Sequence, residues 1–128
     1  MRILFLDDNP ARHALMDKRH PDAEVVHAYT IDDYRDALVK YDHFDVVSLD
    51  HDLNDFTELG YFSYVGDSEA TGVDACGYLM KFLNKVGEII IHSSNGTGAR
   101  NMMDFLNSKG VSNHWAQSWR IFNDNPED

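Results

Sequence analysis

The chain has 128 residues, of which 22 are acidic and 11 are basic, and its formal net charge is −11 at neutral pH. This length is typical of one domain, which folds without disulfides or a structural metal. The negative charge repels nucleic-acid backbones and argues against bulk nucleic-acid binding. Cys76 is the single cysteine, and the sequence shows neither a signal peptide nor an apolar run long enough to cross a membrane. We therefore expect a cytoplasmic domain that does not bind membranes.

The chain begins with a short apolar run, residues 2–7, which predicts a buried strand. Pro10 follows, and proline is favoured in the first turn of a helix because its missing N–H is not needed there. A helix is therefore predicted over residues 10–20. Small and apolar residues lie on one side of this helix: Ala11, Ala14 and Leu15.

A second strand and helix follow the same plan. Residues 23–29 are strand-like, and Thr30 is a predicted helix N-cap. Asp33 lies three residues further on, which makes a variant of the capping box. The apolar side of this helix is predicted from residues at helical spacing: Tyr34, Ala37, Leu38 and Tyr41.

A third strand is predicted over residues 44–50, and a long connection follows it. The segment from Asp52 to Thr71 is predicted as a loop of about twenty residues, which is longer than ordinary connections. Its aromatic residues would either anchor the loop or form a lid that stacks on a base or ribose: Tyr61, Phe62 and Tyr64.

The last part of the chain continues the alternation of helices and strands. Gly110 is a suitable residue to close the fourth helix, because glycine readily adopts the left-handed conformation found there. The predicted elements are a helix over 71–87, a strand over 88–94, a helix over 96–110 and a fifth strand within 112–122, followed by a polar tail over 123–128.

This alternation predicts an α/β fold with a parallel sheet. Five strands in so short a chain favour a flavodoxin-like or receiver-like three-layer sandwich with strand order 2-1-3-4-5. The last helix is expected to be short or missing. Residues 1–122 would form a single domain.

Acidic residues follow the first and third predicted strands, at the sheet edge where open α/β proteins bind ligands. Asp7 and Asp8 follow the first strand, and Asp50 and Asp52 follow the third. So many carboxylates in one place would raise a pKa unless a cation were bound, and oxygen ligands suit Mg²⁺ or Mn²⁺. The alternative is that these aspartates cap helices and interact with solvent.

Small and polar residues follow the fourth strand and lead into a helix. Free backbone N–H groups at such a turn readily bind phosphate, and Arg100 could supply a positive charge. The predicted phosphate-binding residues are Ser93, Ser94, Asn95, Gly98 and Arg100.

His51 and His92 each follow an apolar strand at the same predicted edge. Two imidazoles near a phosphate would act as general base and acid, or would complete a metal site. The alternative for each is a structural hydrogen bond to a backbone carbonyl. The other histidines are predicted to be surface or packing residues: His13, His20, His27, His43 and His114.

The motifs "FLDDNP", "SLDHDL", "TGVDACGYL" and "HSSNGTGARNMM" together resemble the family of cyclic-phosphate processing receiver domains. The resemblance covers most of the chain. It implies a receiver-type sheet in which Asp7 and Asp8 bind a divalent cation, Asp50 takes the place of the phosphate-accepting residue, and Ser93 contacts the phosphoryl group. The added histidines His51 and His92 suggest hydrolysis instead of phosphate relay.

The chain departs from the receiver pattern in two places. Gly96 stands where many family members have proline, which leaves an extra N–H donor. Receivers also carry a lysine at the end of strand five, and this chain has none there. Arg100 or Arg120 would have to replace it. The missing lysine argues against a stable aspartyl-phosphate switch.

These observations predict a metal-dependent phosphoesterase-like domain acting on a cyclic or terminal phosphate of a nucleotide or RNA end. Asp7, Asp8 and Asp50 would hold Mg²⁺ or Mn²⁺, and the catalytic residues would be Asp50, Asp52, His51 and His92. One alternative is a non-catalytic receiver-like module that binds a protein partner or a cyclic nucleotide. A less favoured one is a phosphoaspartate receiver using Asp50.

Overall fold

The computed structural model describes residues 1–55, 70–93 and 96–116. Its strands are β1 (Arg2–Leu6), β2 (Glu24–Ala28), β3 (Phe44–Leu49), β4 (Asp52–Asp55), β5 (Ala70–Thr71), β6 (Val86–Ile91) and β7 (His114–Ala116). Its α-helices are α1 (Pro10–Arg19), α2 (Ile31–Lys40), α3 (Gly72–Leu79) and α4 (Gly96–Ser108). The predicted lid aromatics, Ser94, Asn95, Arg120 and the polar tail lie outside the described residues.

Five parallel strands form the main sheet in the order β2-β1-β3-β6-β7. Numbered as the five strands of this sheet, this order is 2-1-3-4-5, which confirms the predicted topology. The central strands β1, β3 and β6 are the most apolar, because parallel strands with helices on both faces are buried on both sides. Leu4, Val47 and Ile89 are fully buried and lie in register across them.

Helices cover both faces of the sheet, which makes the three-layer sandwich that was predicted. The larger core lies under α2, α3 and α4 and contains residues such as Tyr34, Leu79 and Met102. A smaller core of Ile3, Phe5 and Met16 lies under α1. Burial raises the pKa of Cys76 to about 12, so this thiol is a packing group.

Helix α1 begins at Pro10 as predicted, and the side that it buries is not the one that carries Ala11 and Ala14. Ala11 and Ala14 are exposed, whereas His13 and Met16 are buried. The helix turns this side inward because the His13 ring has a polar partner there: its Nε2 lies 2.7 Å from the backbone oxygen of Asp7. Apolar periodicity does not reveal a histidine that is buried through a hydrogen bond.

The connection after β3 also differs from the prediction at both of its ends. Residues predicted as loop form a two-stranded antiparallel ladder, in which Asp52 pairs with Thr71 and Asp55 with Ala70. The ladder brings the two ends of the connection together beside the end of β3. The backbone N–H of Gly72 then donates to the carbonyl oxygen of His51 at 2.9 Å.

The predicted helix over 71–87 is shorter than expected. It is α-helical from Gly72 to Leu79 and continues as a 3₁₀ helix over Met80–Lys85. Phe82 has non-helical backbone angles (φ −126°, ψ 18°), so the 3₁₀ stretch is kinked at this residue. Gly110 has φ +80°, as expected for the residue that closes α4.

The predicted N-cap of α2 can be tested by substitution. Thr30 Oγ1 accepts a hydrogen bond from the Asp33 N–H at 3.1 Å, and Asp33 Oδ2 accepts from the Tyr29 N–H at 3.0 Å. We expect Thr30→Ala to lower the free energy of unfolding by about 1 kcal/mol, because an N–H at the helix end loses its partner. Thr30→Ser, which keeps the hydroxyl, should be close to wild type in urea denaturation. Equal losses in the two variants would contradict this role for the hydroxyl.

Candidate functional site

The site lies where the three central strands end. Hydrogen bonding of the sheet continues one residue beyond each strand: the N–H groups of Asp7, Asp50 and His92 donate to the carbonyl oxygens of Ala28, Leu6 and Leu49. These bonds measure 2.9 to 3.1 Å. The backbones of the three residues are therefore held as firmly as the sheet itself.

Asp7, Asp50 and His92 form one compact and buried group. One ligand atom from each residue lies within 4.8 Å of those of the other two. Asp7 and His92 have no exposed surface, and Asp50 is 4% exposed. Charged groups are costly to bury unless they have partners, so the neighbours of this group determine what it can do.

The imidazole of His92 is held from three sides. Its Nε2 lies 3.0 Å from Asp7 Oδ2, and its Nδ1 lies 2.6 Å from the hydroxyl oxygen of Ser48. The ring of Phe5 stacks on it, with centroids 4.6 Å apart and planes inclined by 14°. The orientation of His92 is therefore defined by packing as well as by hydrogen bonds.

Arg12 supplies the positive charge beside the two carboxylates. Its Nη1 lies 3.2 Å from Asp7 Oδ2 and 3.8 Å from Asp50 Oδ2. The side chain is 19% exposed, so it reaches the group from the solvent side of the first turn of α1. The Asn9 N–H also donates to Asp7 Oδ1 at 2.8 Å.

The three buried groups differ in how their surroundings change their pKa values. Burial and the nearby Asp7 charge raise the pKa of Asp50 to about 7, against the opposing effects of Arg12 and the His51 N–H. Burial also acts to raise the pKa of Asp7, but hydrogen bonds from His92 and Asn9 and the Arg12 charge outweigh it, and the pKa is lowered. Burial lowers the pKa of His92, which favours the neutral imidazole.

His51 follows Asp50 in sequence, and its ring lies against the first turns of α4. Its backbone N–H donates to Asp50 Oδ1 at 2.9 Å, and its side chain is half-buried. A Cβ atom added to Gly98 would lie only 2.5 Å from Cγ of the His51 ring. The glycine, which was predicted to help bind phosphate, thus also leaves the space that the His51 ring occupies.

The other predicted site residues have different positions. Asp8 is half-buried and does not belong to the group of three. Ser93 is buried directly after His92, and Arg100 is exposed on α4. Asp52 is the first residue of β4, and its side chain lies outside the described residues, as do Ser94 and Asn95.

Three residues near the group were not predicted to act there: Arg12, Ser48 and His13. A basic residue in the first turn after an acidic pair is a signal that could have identified Arg12. Ser48 is a lone polar residue in an apolar strand, and a buried hydroxyl needs a partner. His13 supports the backbone of Asp7, and its Nδ1 lies 2.6 Å from His27 Nδ1.

The donor set fits a divalent cation. Carboxylate oxygens suit Mg²⁺ and Mn²⁺, and imidazole suits transition metals. Two carboxylates lie close together here, and one of them has a raised pKa. A bound cation would offset the repulsion between them. Asp7, Asp50 and His92 are thus the residues that could hold such an ion.

The strand order and the acidic residues at the ends of β1 and β3 define the class of this chain, which is a receiver-like domain. Within that class, the chain belongs to the family described as cyclic-phosphate processing receiver domains, whose model matches residues 2–108. No curated protein sequence matches the chain. Within the described residues, no helix has the length and apolarity needed to cross a bilayer.

Solved structures of receiver domains share the fold. The signal receiver domain of a protein described as a Luxo repressor from Vibrio parahaemolyticus has a TM-score of 0.62 and 16% identity, covering 91% of this chain and 77% of that one. An adenylate cyclase from Rhodopirellula baltica has a TM-score of 0.66 and 16% identity, covering 91% of this chain and 75% of that one. The response regulator TrrA from Thermotoga maritima, in complex with Mg²⁺-BeF, has a TM-score of 0.61 and 17% identity, covering 94% of this chain and 89% of that one. Identities this low establish the fold alone.

The raised pKa of Asp50 predicts how stability depends on pH without metal. Folding disfavours the ionised carboxylate, so the free energy of unfolding should fall as pH rises from about 4 to about 7. In EDTA at pH 8, Asp50→Asn should be about 1–4 kcal/mol more stable than wild type, because it removes that charge. Urea denaturation between pH 5 and 8 measures the difference.

The gain from Asp50→Asn should shrink toward the lower pH, where the Asp50 carboxyl of the folded protein is protonated. Asp104, which is exposed on α4, provides the control, and Asp104→Asn should show no such gain. A gain for Asp50→Asn that is independent of pH would contradict this account.

Gly98 and Gly77 make a matched pair of helical glycines. A Cβ at Gly77 would meet nothing within 4 Å, whereas one at Gly98 would meet the His51 ring. Gly77→Ala should raise the free energy of unfolding by about 1 kcal/mol through helix propensity. Gly98→Ala should gain less and should shift the His51 ring signals in NMR spectra. Equal gains, with His51 signals unchanged, would show that the ring does not depend on Gly98.

Proposed function

We propose that this domain is a metal-dependent phosphoesterase that processes a cyclic or terminal phosphate of a nucleotide or RNA end. The observation that carries the proposal is the buried group of Asp7, Asp50 and His92 with Arg12 beside it. The family description, cyclic-phosphate processing, supports the same class of substrate. The domain would comprise residues 1–122, with 123–128 as a tail.

The cation would be held by Asp7 and Asp50, with Asp8 close in sequence as a further candidate. Mg²⁺ or Mn²⁺, when bound, polarises a phosphoryl group and offsets its negative charge. The proposal needs both carboxylates ionised. The low pKa of Asp7 fits this need, and a cation would bring the Asp50 carboxyl to the same state.

The phosphate would lie between the acidic group and the start of α4. N–H groups at a helix start attract anions, and the predicted phosphate-binding residues Ser93, Ser94, Asn95 and Gly98 fall at this point of the sequence. Arg12 would take the part of the missing strand-five lysine, because its guanidinium already lies beside Asp7 and Asp50. Arg12 thus replaces Arg100, which is exposed on α4, as the first choice for the positively charged side chain at the phosphate.

His51 and His92 would have different tasks. His92 is fully buried with both ring nitrogens near partners, which suits holding Asp7 in place. His51 is half-buried at the edge of the group, where it could exchange protons with solvent. In hydrolysis, a water oxygen bonds to phosphorus, one P–O ester bond breaks, and the leaving oxygen takes up a proton. His51, oriented by Asp52, would move that proton.

A second candidate is a receiver-like module that binds a cyclic nucleotide or a protein without cleavage. The burial of His92 favours it, because a ring with no exposed surface suits a fixed structural role. The two candidates share the same ligand site and differ in whether a product forms. A phosphoaspartate relay on Asp50 is less favoured, since the strand-five lysine is missing.

The test is a ³¹P NMR time course with Mn²⁺ or Mg²⁺ and a panel of 2′,3′- and 3′,5′-cyclic nucleotides. We expect a new phosphomonoester signal, reduced about a hundredfold or more in Asp50→Asn because a metal ligand is lost. Asp104→Asn, exposed on α4, should keep wild-type turnover.

Turnover by a folded Asp50→Asn variant at the wild-type rate would contradict the proposal. Substrate signals that shift or broaden without any product would reject hydrolysis of these substrates and support the binding module. The signal that appears would also identify which ester bond is cut.

A further inference from the structure

Ser48 occupies a position that the proposed chemistry does not yet use. It lies near the end of β3, in register with Phe5 of β1 and Ile90 of β6, and it is 1% exposed. Its hydroxyl oxygen lies 2.6 Å from His92 Nδ1. The two residues are 44 positions apart in sequence, so this contact is a product of the sheet order.

The hydrogen bonds of His92 define which ring nitrogen carries hydrogen when no metal is bound. An ionised Asp7 carboxylate can only accept, so the hydrogen must be on Nε2, which lies 3.0 Å from Asp7 Oδ2. In the neutral ring, Nδ1 then has a lone pair and must accept. The Ser48 hydroxyl is placed to donate to it.

A metal at the same group would require the opposite arrangement. An imidazole binds a metal through a nitrogen without hydrogen, and its other N–H needs an acceptor. The ring nitrogen of His92 that lies beside Asp7 is Nε2, at 3.0 Å, so for a metal bound there the hydrogen would have to be on Nδ1. A hydroxyl can donate or accept simply by rotating, and Ser48 can therefore serve both states.

We propose that Ser48 is a positioning residue that lets His92 change tautomer and become a metal ligand. The proton on Nε2 passes to solvent and Nδ1 takes one up from solvent, so the ring stays neutral, and the Ser48 hydroxyl changes from donor to acceptor. Stacking on Phe5 holds the ring plane while this happens. This inference rests on the metal site of the proposed function, and not on turnover.

The inference also bears on which metal the site prefers. Two carboxylates and one imidazole form a mixed oxygen and nitrogen set, unlike the all-oxygen sets that favour Mg²⁺. With His92 as a ligand, Mn²⁺ should bind more tightly than Mg²⁺. Loss of the Ser48 hydroxyl should then weaken Mn²⁺ binding about 10–100-fold, the usual effect of removing a hydrogen-bond partner of a metal-bound histidine.

The first measurement uses the full chain labelled with ¹⁵N-histidine. Ring nitrogens with and without hydrogen have well-separated ¹⁵N shifts, and signals absent from His92→Gln identify His92. We expect hydrogen on Nε2 in EDTA and on Nδ1 after addition of one equivalent of Zn²⁺, a diamagnetic probe that suits imidazole. Hydrogen that stays on Nε2 with Zn²⁺ bound would overturn the inference in the wild-type protein itself.

The second measurement counts free Mn²⁺ by EPR in titrations of matched variants. Ser48→Ala should bind about 10–100-fold more weakly, and Ser48→Thr, which keeps a hydroxyl, should recover most of the affinity. Val47→Ala is the control, because Val47 is a buried neighbour in β3 whose side chain points to the opposite face. It should bind like wild type.

Wild-type affinity in folded Ser48→Ala, or an equal loss in Val47→Ala, would overturn the role of the hydroxyl. Turnover is scored separately from these measurements. A protein that shows the tautomer change and the affinity loss but cleaves nothing would support this inference and reject the proposed hydrolysis. Cleavage without a tautomer change would reject this inference and support the proposed hydrolysis.

Discussion

The contact between Asp7 and His92 is the constraint on which the rest of the site depends. Both side chains are completely buried at the ends of strands that are not neighbours, since β3 lies between β1 and β6. A carboxylate without exposed surface is stable only if its lone pairs are satisfied. The Asp7 carboxylate receives hydrogen bonds from His92, from the Asn9 N–H and from Arg12. Two of these donors come from the start of α1 and one from the residue that follows β6, so the site depends on where both elements lie.

Asp50 is the less stable member of the same arrangement. Burial and the nearby Asp7 charge raise its pKa to about 7, and Arg12, 3.8 Å away, and the His51 N–H at 2.9 Å offset this only in part. A protein that needed only a stable sheet would gain by replacing it. Groups whose surroundings raise their energy in this way are common where a ligand supplies the missing partner. The same buried Asp50 carboxylate thus lowers the stability of the metal-free protein and would bind the proposed cation.

Membership of the receiver class explains the sheet but not the details around this group. In this chain, a histidine with no exposed surface occupies the site beside the acids, and an arginine from α1 approaches them. The ladder of β4 and β5 then closes the connection next to Asp50, with Gly72 hydrogen-bonded to the carbonyl of His51. These additions place imidazole and guanidinium groups around an acidic centre, a combination suited to phosphate chemistry.

The amino-acid sequence by itself determined the alternation of strands and helices, the start of α1 at Pro10, the cap at Thr30, and the placement of Asp7, Asp50 and His92 at one edge. Each of these follows from periodicity, from caps, or from the rule that parallel strands end together. The strand order followed from the order usual for flavodoxin-like sheets of five strands. Only the tertiary structure decided that His13 faces inward, that Arg12 reaches the acids, that Ser48 contacts His92, and that the long connection begins and ends as a ladder. The physical reason is that the Ser48–His92 contact and the ladder join residues far apart in sequence, whereas the positions of His13 and Arg12 depend on how α1 is rotated against the sheet. Strand register and helix rotation are not encoded by any local pattern.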